Sequence, residues 1–279
     1  MVLHLTNFTY LLQDFDQMMV KLFKQSLGKP ELLAKTDFIN AAGHRSRVID
    51  LQIEDTIIDF FQEKGFPCEI EAEERGRTII SDNPKYLVII DPLDGTTNFS
   101  KKIPLSCYGL AIAKLRKDST DACFSDIVSA SVRSFHTNEF YTSNLGKGSQ
   151  LNGKMIKSSN IKKLEHSLVA FDMDRLWKKT AILDKVLKVL SRARGTRRFG
   201  ANLLDMCYVA SGKVELMIDI RNSLSAVHTP GLFIAKESGA IIHSMKNKIF
   251  NPKLLANEKM SFVLCSNEVL FEQVFQLLS

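Results

Sequence analysis

Nine consecutive residues carry the strongest chemical signal in the chain: Asp91-Pro-Leu-Asp-Gly-Thr-Thr-Asn-Phe99. Two carboxylates, Asp91 and Asp94, stand three residues apart, directly after the apolar run Tyr86–Ile90, which reads as a buried strand. Pro92 stiffens the turn between them. Gly95-Thr-Thr97 follows, freeing backbone N–H groups and adding hydroxyls. Carboxylates gathered at a strand end favour hard cations such as Mg²⁺. N–H groups exposed at a turn that leads into a helix favour a phosphate. A cation and a phosphate side by side imply metal-assisted phosphoryl chemistry. An Asp-x-x-Asp pair by itself is more often a solvated turn with Asp as a cap.

The full segment is far more specific than that pair, because it resembles the signature of the inositol monophosphatase family, Asp-Pro-hydrophobic-Asp-Gly-Thr-x-Asn-Phe. The resemblance extends over most of the chain. Ala72-Glu-Glu74 resembles the family's Glu-Glu element, and Ser46-x-x-x-Asp50 the upstream hydroxyl and carboxylate that border the site. Gly146-Lys-Gly-Ser-Gln-Leu-Asn-Gly153 resembles its hairpin, Gly200–Gly212 its helix after an Arg-rich turn, and Gly231–Gly239 its last motif. Asp219-Ile-Arg221 and Arg197-Arg-Phe-Gly200 are most similar to archaeal members, several of which act on inositol phosphates and fructose 1,6-bisphosphate.

The resemblance implies an α/β (α+β) chain in a layered α-β-α-β-α, sugar-phosphatase-like fold. It also implies a Mg²⁺-dependent phosphomonoesterase. Glu73, Asp91 and the carbonyl of Leu93 would hold a first cation, and Asp91 with Asp94 a second. The amides of Gly95, Thr96 and Thr97 would bind phosphate. Glu73 and Thr96 would orient the attacking water. Asp94, Arg198 and Asp219 would meet the substrate, Asp219 through its hydroxyls.

One departure matters. The family's last motif begins with an Asp of the second metal site, ten residues before the position of Glu237; counting back lands on Val227. The neighbouring His228 reaches the metal only if the helix start shifts by one residue. Imidazole is a poor ligand for Mg²⁺ and a better one for Mn²⁺ or Zn²⁺, so both are alternatives as cofactor. Losing the Asp also motivates a rival reading, a catalytically impaired binding or regulatory protein on a phosphatase scaffold. Within the phosphatases, a 3′-nucleotidase is the rival substrate class. Arg192, Arg194, Arg197 and Arg198 read either as a solvated helix end or as an anion site for a second phosphate.

The elements that must position these residues follow from periodicity. Leu11, Leu12, Phe15, Met18, Met19, Leu22 and Phe23 share one helical face over 10–27, stopped at Gly28-Lys-Pro30. Residues 31–47 read as a polar connection, and Val48–Lys64 as a second helix. Strands are expected at Tyr86–Ile90, Cys107–Leu115, Ile127–Val132 and Glu139–Thr142, with Asn152-Gly153 as a tight hairpin turn. The rest alternates: strands at Leu168–Phe171, Glu215–Ile220, Ala240–His243 and Phe262–Cys265, helices at Trp177–Leu190, Asn202–Ala210, Pro230–Glu237 and Glu268–Leu278. The expected organisation is an N-terminal half, 1–160, carrying the metal and phosphate motifs, and a C-terminal α/β half, 161–279, packed together.

With 279 residues, 45% apolar and 24% charged, the chain can bury a sizeable core and is not disordered overall. The longest apolar runs fall far short of a membrane span, and residues 1–12 lack the basic start of a secretory signal. A net charge of +6 suits a small anionic substrate. Nucleic acid is a lesser candidate, because no aromatics interleave with the arginines. Cys68, Cys107, Cys123, Cys207 and Cys265 show no metal spacing and read as reduced thiols of a cytoplasmic protein. The expected partner is a small phosphorylated sugar or polyol, with no membrane and a homodimer as the assembly.

Overall fold

In the computed structural model, which describes residues 8–27, 29–40, 45–116, 121–174, 180–245 and 249–278, the first apolar stripe forms helix α1 (Thr9–Ser26). It buries Leu12, Phe15, Met19 and Phe23, spaced as one helical face requires. Gly28, expected to stop it, lies outside the described residues. The segment expected to be a polar connection contains two short strands, β1 (Lys35–Ile39) and β2 (Arg45–Arg47), paired antiparallel. Most of their side chains are polar, so no apolar alternation marked them. Helix α2 (Val48–Glu63) starts directly after β2.

The first large sheet contains β3 (Cys68–Ala72), β4 (Gly76–Ile79), β5 (Tyr86–Asp94), β6 (Cys107–Lys114), β7 (Ile127–Ser134), β8 (Phe140–Asn144), β9 (Ser149–Leu151) and β10 (Lys154–Ile156). Their order is β10-β9-β8-β7-β6-β5-β3-β4. From β5 to β10 it is an antiparallel meander, while β3 runs parallel to β5. Asn152 and Gly153 link β9 to β10 with φ of 51° and 78°, the left-handed pair a two-residue hairpin requires. A short helix, α3 (Thr96–Ser100), follows β5.

The second sheet contains β11 (Leu168–Phe171), β12 (Gly195–Arg197), β13 (Leu216–Ser225), β14 (Ile241–Ser244) and β15 (Lys259–Cys265), in the order β12-β11-β13-β15-β14. β11 is parallel to β12 and β13; β15 is antiparallel to β13 and β14. The helices of this part are α4 (Thr180–Leu190), α5 (Asn202–Ala210), α6 (Thr229–Glu237) and α7 (Glu268–Leu278). Trp177, the expected first residue of α4, lies outside the described residues.

Three apolar clusters set the layers. On β5, Val88 and Ile90 join Phe15 of α1 and Ile53 and Ile57 of α2. Their neighbours Leu87 and Ile89 face the other way, toward Leu203 of α5 and Phe233 of α6. Period-two alternation with both faces buried is the signature of a central strand. The middle cluster continues to Met217, Phe262 and Leu264 of the second sheet. On that sheet's far face, Leu216, Ile218 and Val263 pack with Val186 and Val189 of α4 and Val274 of α7. The order is therefore α-β-α-β-α. Each fully buried aliphatic side chain contributes about 1.5–3 kcal/mol, which offsets the cost of taking the carboxylates below out of water. No described helix is long and apolar enough to cross a membrane.

Candidate active site

β5 loses register with β6 where the two aspartates stand. Asp91 is opposite Gly109 and Asp94 is opposite Cys107, so β5 carries two residues, Pro92 and Leu93, against the single Tyr108. This is a β-bulge. Side chains alternate along a regular strand, which would send residues 91 and 94 to opposite faces. The extra residue restores the parity. Asp94 faces α5, where its Oδ2 accepts the N–H of Leu203 at 2.7 Å. Leu93 is buried in the opposite cluster, and its N–H donates back to Asp91 Oδ1 at 3.0 Å. Helix α5 sits directly on Gly109, where a Cβ would meet the Leu203 side chain at 2.5 Å.

Parallel pairing brings in Glu73. Ala72, the last residue of β3, is opposite Ile90, so Glu73 emerges beside Asp91 at the same end of the sheet. Gly95 then turns the chain into α3 with φ of 83°. A Cβ there would lie 2.7 Å from the Leu105 carbonyl oxygen, so only glycine fits. The first N–H groups of a helix have no intrahelical acceptor, which leaves those of Gly95, Thr96 and Thr97 beside the carboxylates. Thr96 Oγ1 donates to the Leu93 carbonyl at 2.9 Å. Asn98 fastens α3 to the arginine turn by donating to the Leu105 and Phe199 carbonyls at 2.9 and 2.7 Å.

The chain between β13 and α6 supplies the last member. Ala226–His228 form one 3₁₀ turn. Val227, the position reached by counting back from Glu237, is fully buried in the middle apolar cluster. His228 turns the other way: its Nε2 lies 3.2 Å from Asp91 Oδ2 and 3.7 Å from Asp94 Oδ1. Asp91, Asp94 and His228 each offer one ligand atom within 4.8 Å of the others, all buried. Glu73 adds its charge at the edge of this group.

The electrostatics fit a cation. Burial first, then the charges of Glu73 and Asp94, raise Asp91 well above the usual carboxylate range. Burial also raises Glu73, with Glu74 and Asp94 adding and His228 opposing. Burial disfavours the His228 imidazolium, but Asp94, Asp91 and Glu73 outweigh it and hold the group up to about 9. Carboxylates that repel one another in a buried space are relieved by a divalent ion, and the donor set of carboxylate oxygens with one imidazole fits such an ion.

A second row supports the first. Ser46 Oγ donates to Glu74 Oε2, and the Glu74 and Arg75 N–H groups donate to Glu54 at 2.9 and 3.0 Å. Asp50 accepts the Arg47 N–H at 3.1 Å at the start of α2. Burial raises Asp50 and Glu54 to about 7 each, with Glu74's charge adding in both cases.

The expected substrate contacts divide. Asp219 is fully buried, and Arg221 occupies both of its carboxylate oxygens at 2.9 and 2.6 Å. The structure places Asp219 inside an ion-pair chain. Arg221 continues to Asp172 at 2.8 Å, and Asp172 to Arg198 at 3.1 Å. Arg198 also pairs with Asp174 and remains partly exposed. The arginine cluster does not act together: Arg192 lines a cleft with Leu164, Glu165 and Gln273 beside α7, and Arg197 Nη1 donates to the Thr196 carbonyl. Sequence reasoning missed Asp172, Arg221, Glu54 and Asp205. Asp205 Oδ1 is buried without a hydrogen-bond partner among the described residues, and burial, then Asp94 and Asp172, raise its carboxyl. A lone acid inside an apolar helix pattern was the available signal.

Comparison with known proteins adds to this geometry. The family model described as the inositol monophosphatase family matches residues 32–279. A fructose-1,6-bisphosphatase/inositol-1-monophosphatase of Methanothermobacter thermautotrophicus is 29% identical over 245 residues, covering 86% of this chain and 85% of that protein. A bifunctional NADP phosphatase/NAD kinase of Methanococcus maripaludis is 29% identical over 252 residues, 85% of this chain and 43% of that protein. A solved structure from Pyrococcus horikoshii, described as a hypothetical protein with similarities for inositol-1 monophosphatase, superposes with a TM-score of 0.76. It is 26% identical and covers 97% of this chain and 99% of that one.

Proposed function

The chain belongs to the inositol monophosphatase family and is a phosphatase, and on that premise we propose that it hydrolyses small phosphorylated sugars or polyols with Mg²⁺. Inositol monophosphate and fructose 1,6-bisphosphate are the first candidates. The observation that carries this reading is the shared face of Asp91 and Asp94 at the β5 bulge, beside Glu73.

Glu73, Asp91, the Leu93 carbonyl and Asp94 would hold the cation, which when bound polarises phosphoryl oxygens and makes water more acidic. The other roles belong to the chain itself. Thr96 Oγ1 donates its hydrogen bond to the Leu93 carbonyl, so its lone pairs are left to accept a hydrogen bond from the attacking water. Glu73, raised by burial, orients that water and takes its proton. The N–H groups of Gly95, Thr96 and Thr97 donate to the phosphate oxygens. Arg198 meets the anionic part of the substrate, and Asp219 acts as a positioning residue through Arg221 and Asp172. The five unpaired cysteines support a reducing, cytoplasmic location, and a homodimer is the proposed assembly, to be tested by light scattering.

The test is phosphate release from inositol 1-phosphate, fructose 1,6-bisphosphate, a 3′-nucleotide and NADP, each with Mg²⁺, Mn²⁺ and Zn²⁺ in turn. Release from a sugar or polyol phosphate supports the proposal. No release with any metal favours the impaired, regulatory reading, and release from nucleotides alone moves the substrate class.

A further inference from the structure

We propose that His228 is an imidazole ligand that makes the cation position between Asp91 and Asp94 a mixed nitrogen–oxygen site, selective for Mn²⁺, Co²⁺ or Zn²⁺ over Mg²⁺. The proposal rests on the phosphatase reading for the presence of a cation, but not for the identity of its donors.

Three observations carry it. The first is direction. Of two adjacent residues, the structure turns the apolar one, Val227, into the core and the one with an imidazole, His228, into the carboxylates.

The second is the tautomer. Nδ1 lies 3.2 Å from the Ser225 carbonyl oxygen, which can only accept, so Nδ1 carries a proton and donates it there. That carbonyl is held in place, because Ser225 Oγ donates to the Ala256 carbonyl at 2.6 Å and accepts the Val227 N–H at 3.3 Å. A backbone carbonyl on one ring nitrogen, fixing the other toward an ion, is how metal-binding histidines are commonly oriented.

The third is spacing. Two donors about 2.1 Å from one ion, at octahedral to tetrahedral angles, stand about 3.0–3.4 Å apart. Nε2 lies 3.2 Å from Asp91 Oδ2 and 3.7 Å from Asp94 Oδ1, at or just above that range. Mg²⁺ prefers all-oxygen octahedra, whereas imidazole suits the later first-row ions. The competing account is that His228 is only an ion-pair partner of the two aspartates.

Electron spin-echo envelope modulation of the full chain loaded with Mn²⁺ separates the two. The expected result is nitrogen modulation from a directly bound imidazole. It should change from ¹⁴N to ¹⁵N when histidine is isotopically labelled, and vanish in His228→Asp. The ratio of Mn²⁺ to Mg²⁺ affinity, from calorimetry, should fall roughly tenfold or more in that variant. His228→Gln repeats both readings if His228→Asp does not fold, and the labelling experiment needs no variant. Absence of histidine nitrogen coupling at saturating Mn²⁺ overturns the proposal, as does coupling that survives in the variants. Phosphate release from the same samples judges the phosphatase reading separately. Release without nitrogen coupling sinks only the ligand, and coupling without release sinks only the hydrolysis.

Discussion

His228 holds its Nε2 3.2 Å from Asp91 Oδ2 while Val227, its neighbour in the chain, is fully buried among apolar side chains. A 3₁₀ turn has three residues per turn, so adjacent side chains diverge by about 120°, enough to send one into the core and the other into the site. The position found by counting residues is thus not the one that faces the carboxylates.

Val227→Asp therefore does not restore a metal ligand, although residue counting alone suggests that it would raise activity. It buries an unpaired carboxylate in the middle cluster, at a cost of about 3–5 kcal/mol. Denaturant unfolding should show that loss, with no gain in phosphate release at limiting Mg²⁺. A variant of native stability with higher activity would restore the residue-counting view.

Asp219→Asn should destabilise by a similar amount, about 3–5 kcal/mol, because it strips a fully buried partner from Arg221. Arg198→Ala should cost little stability, since the guanidinium is partly exposed, but should raise KM. If Asp219→Asn kept full stability and changed only KM, Asp219 would be a direct substrate contact after all.

Asp50 links stability to pH. Its carboxyl is raised from 3.8 to about 7, so between those values the folded state binds more protons than the unfolded one. The stability tied to it is present below the unfolded value and is lost as pH rises through about 7. Asp50→Asn retains an oxygen for the Arg47 N–H. In metal-free protein it should flatten the slope of stability against pH in that window by at most about 1.4 kcal/mol per pH unit. An unchanged slope, measured by denaturant unfolding at several pH values, would assign the titration elsewhere.

Gly95→Ala tests the turn into α3. A side chain at φ of 83° costs at least about 1 kcal/mol, and the 2.7 Å approach to the Leu105 carbonyl forces α3 to move. Turnover should fall further than stability does, because the displaced N–H groups are the proposed phosphate donors. Native turnover in a folded Gly95→Ala protein would remove those amides from the account.

Much of this was legible in the sequence, for identifiable reasons. α5 and α7 carry their expected bounds, α5 because Ser211-Gly212 marks its end in the chain. β5 was expected only to Ile90, since Asp91 and Pro92 interrupt the apolar run; the ladder continues through a bulge that no periodicity encodes. β1 and β2 were invisible because most of their side chains are polar and show no apolar alternation. Asp91, Asp94 and the Gly95–Thr97 turn could be named from one motif, and Glu73 from the separate Glu-Glu element upstream. The Asp219–Arg221–Asp172–Arg198 chain could not, because β11 and β13 are joined only by parallel pairing across the second sheet.

The central claim, that Asp91 and Asp94 form a metal centre for phosphomonoester hydrolysis, is tested most directly by Asp91→Asn. Its charge is buried among other carboxylates, so removing it relieves repulsion in the metal-free protein. The prediction is a metal-free melting temperature equal to or above that of the unaltered chain, a lost melting-temperature rise on adding Mg²⁺ or Mn²⁺, and no measurable phosphate release. Turnover equal to that of the unaltered chain at saturating metal would contradict it.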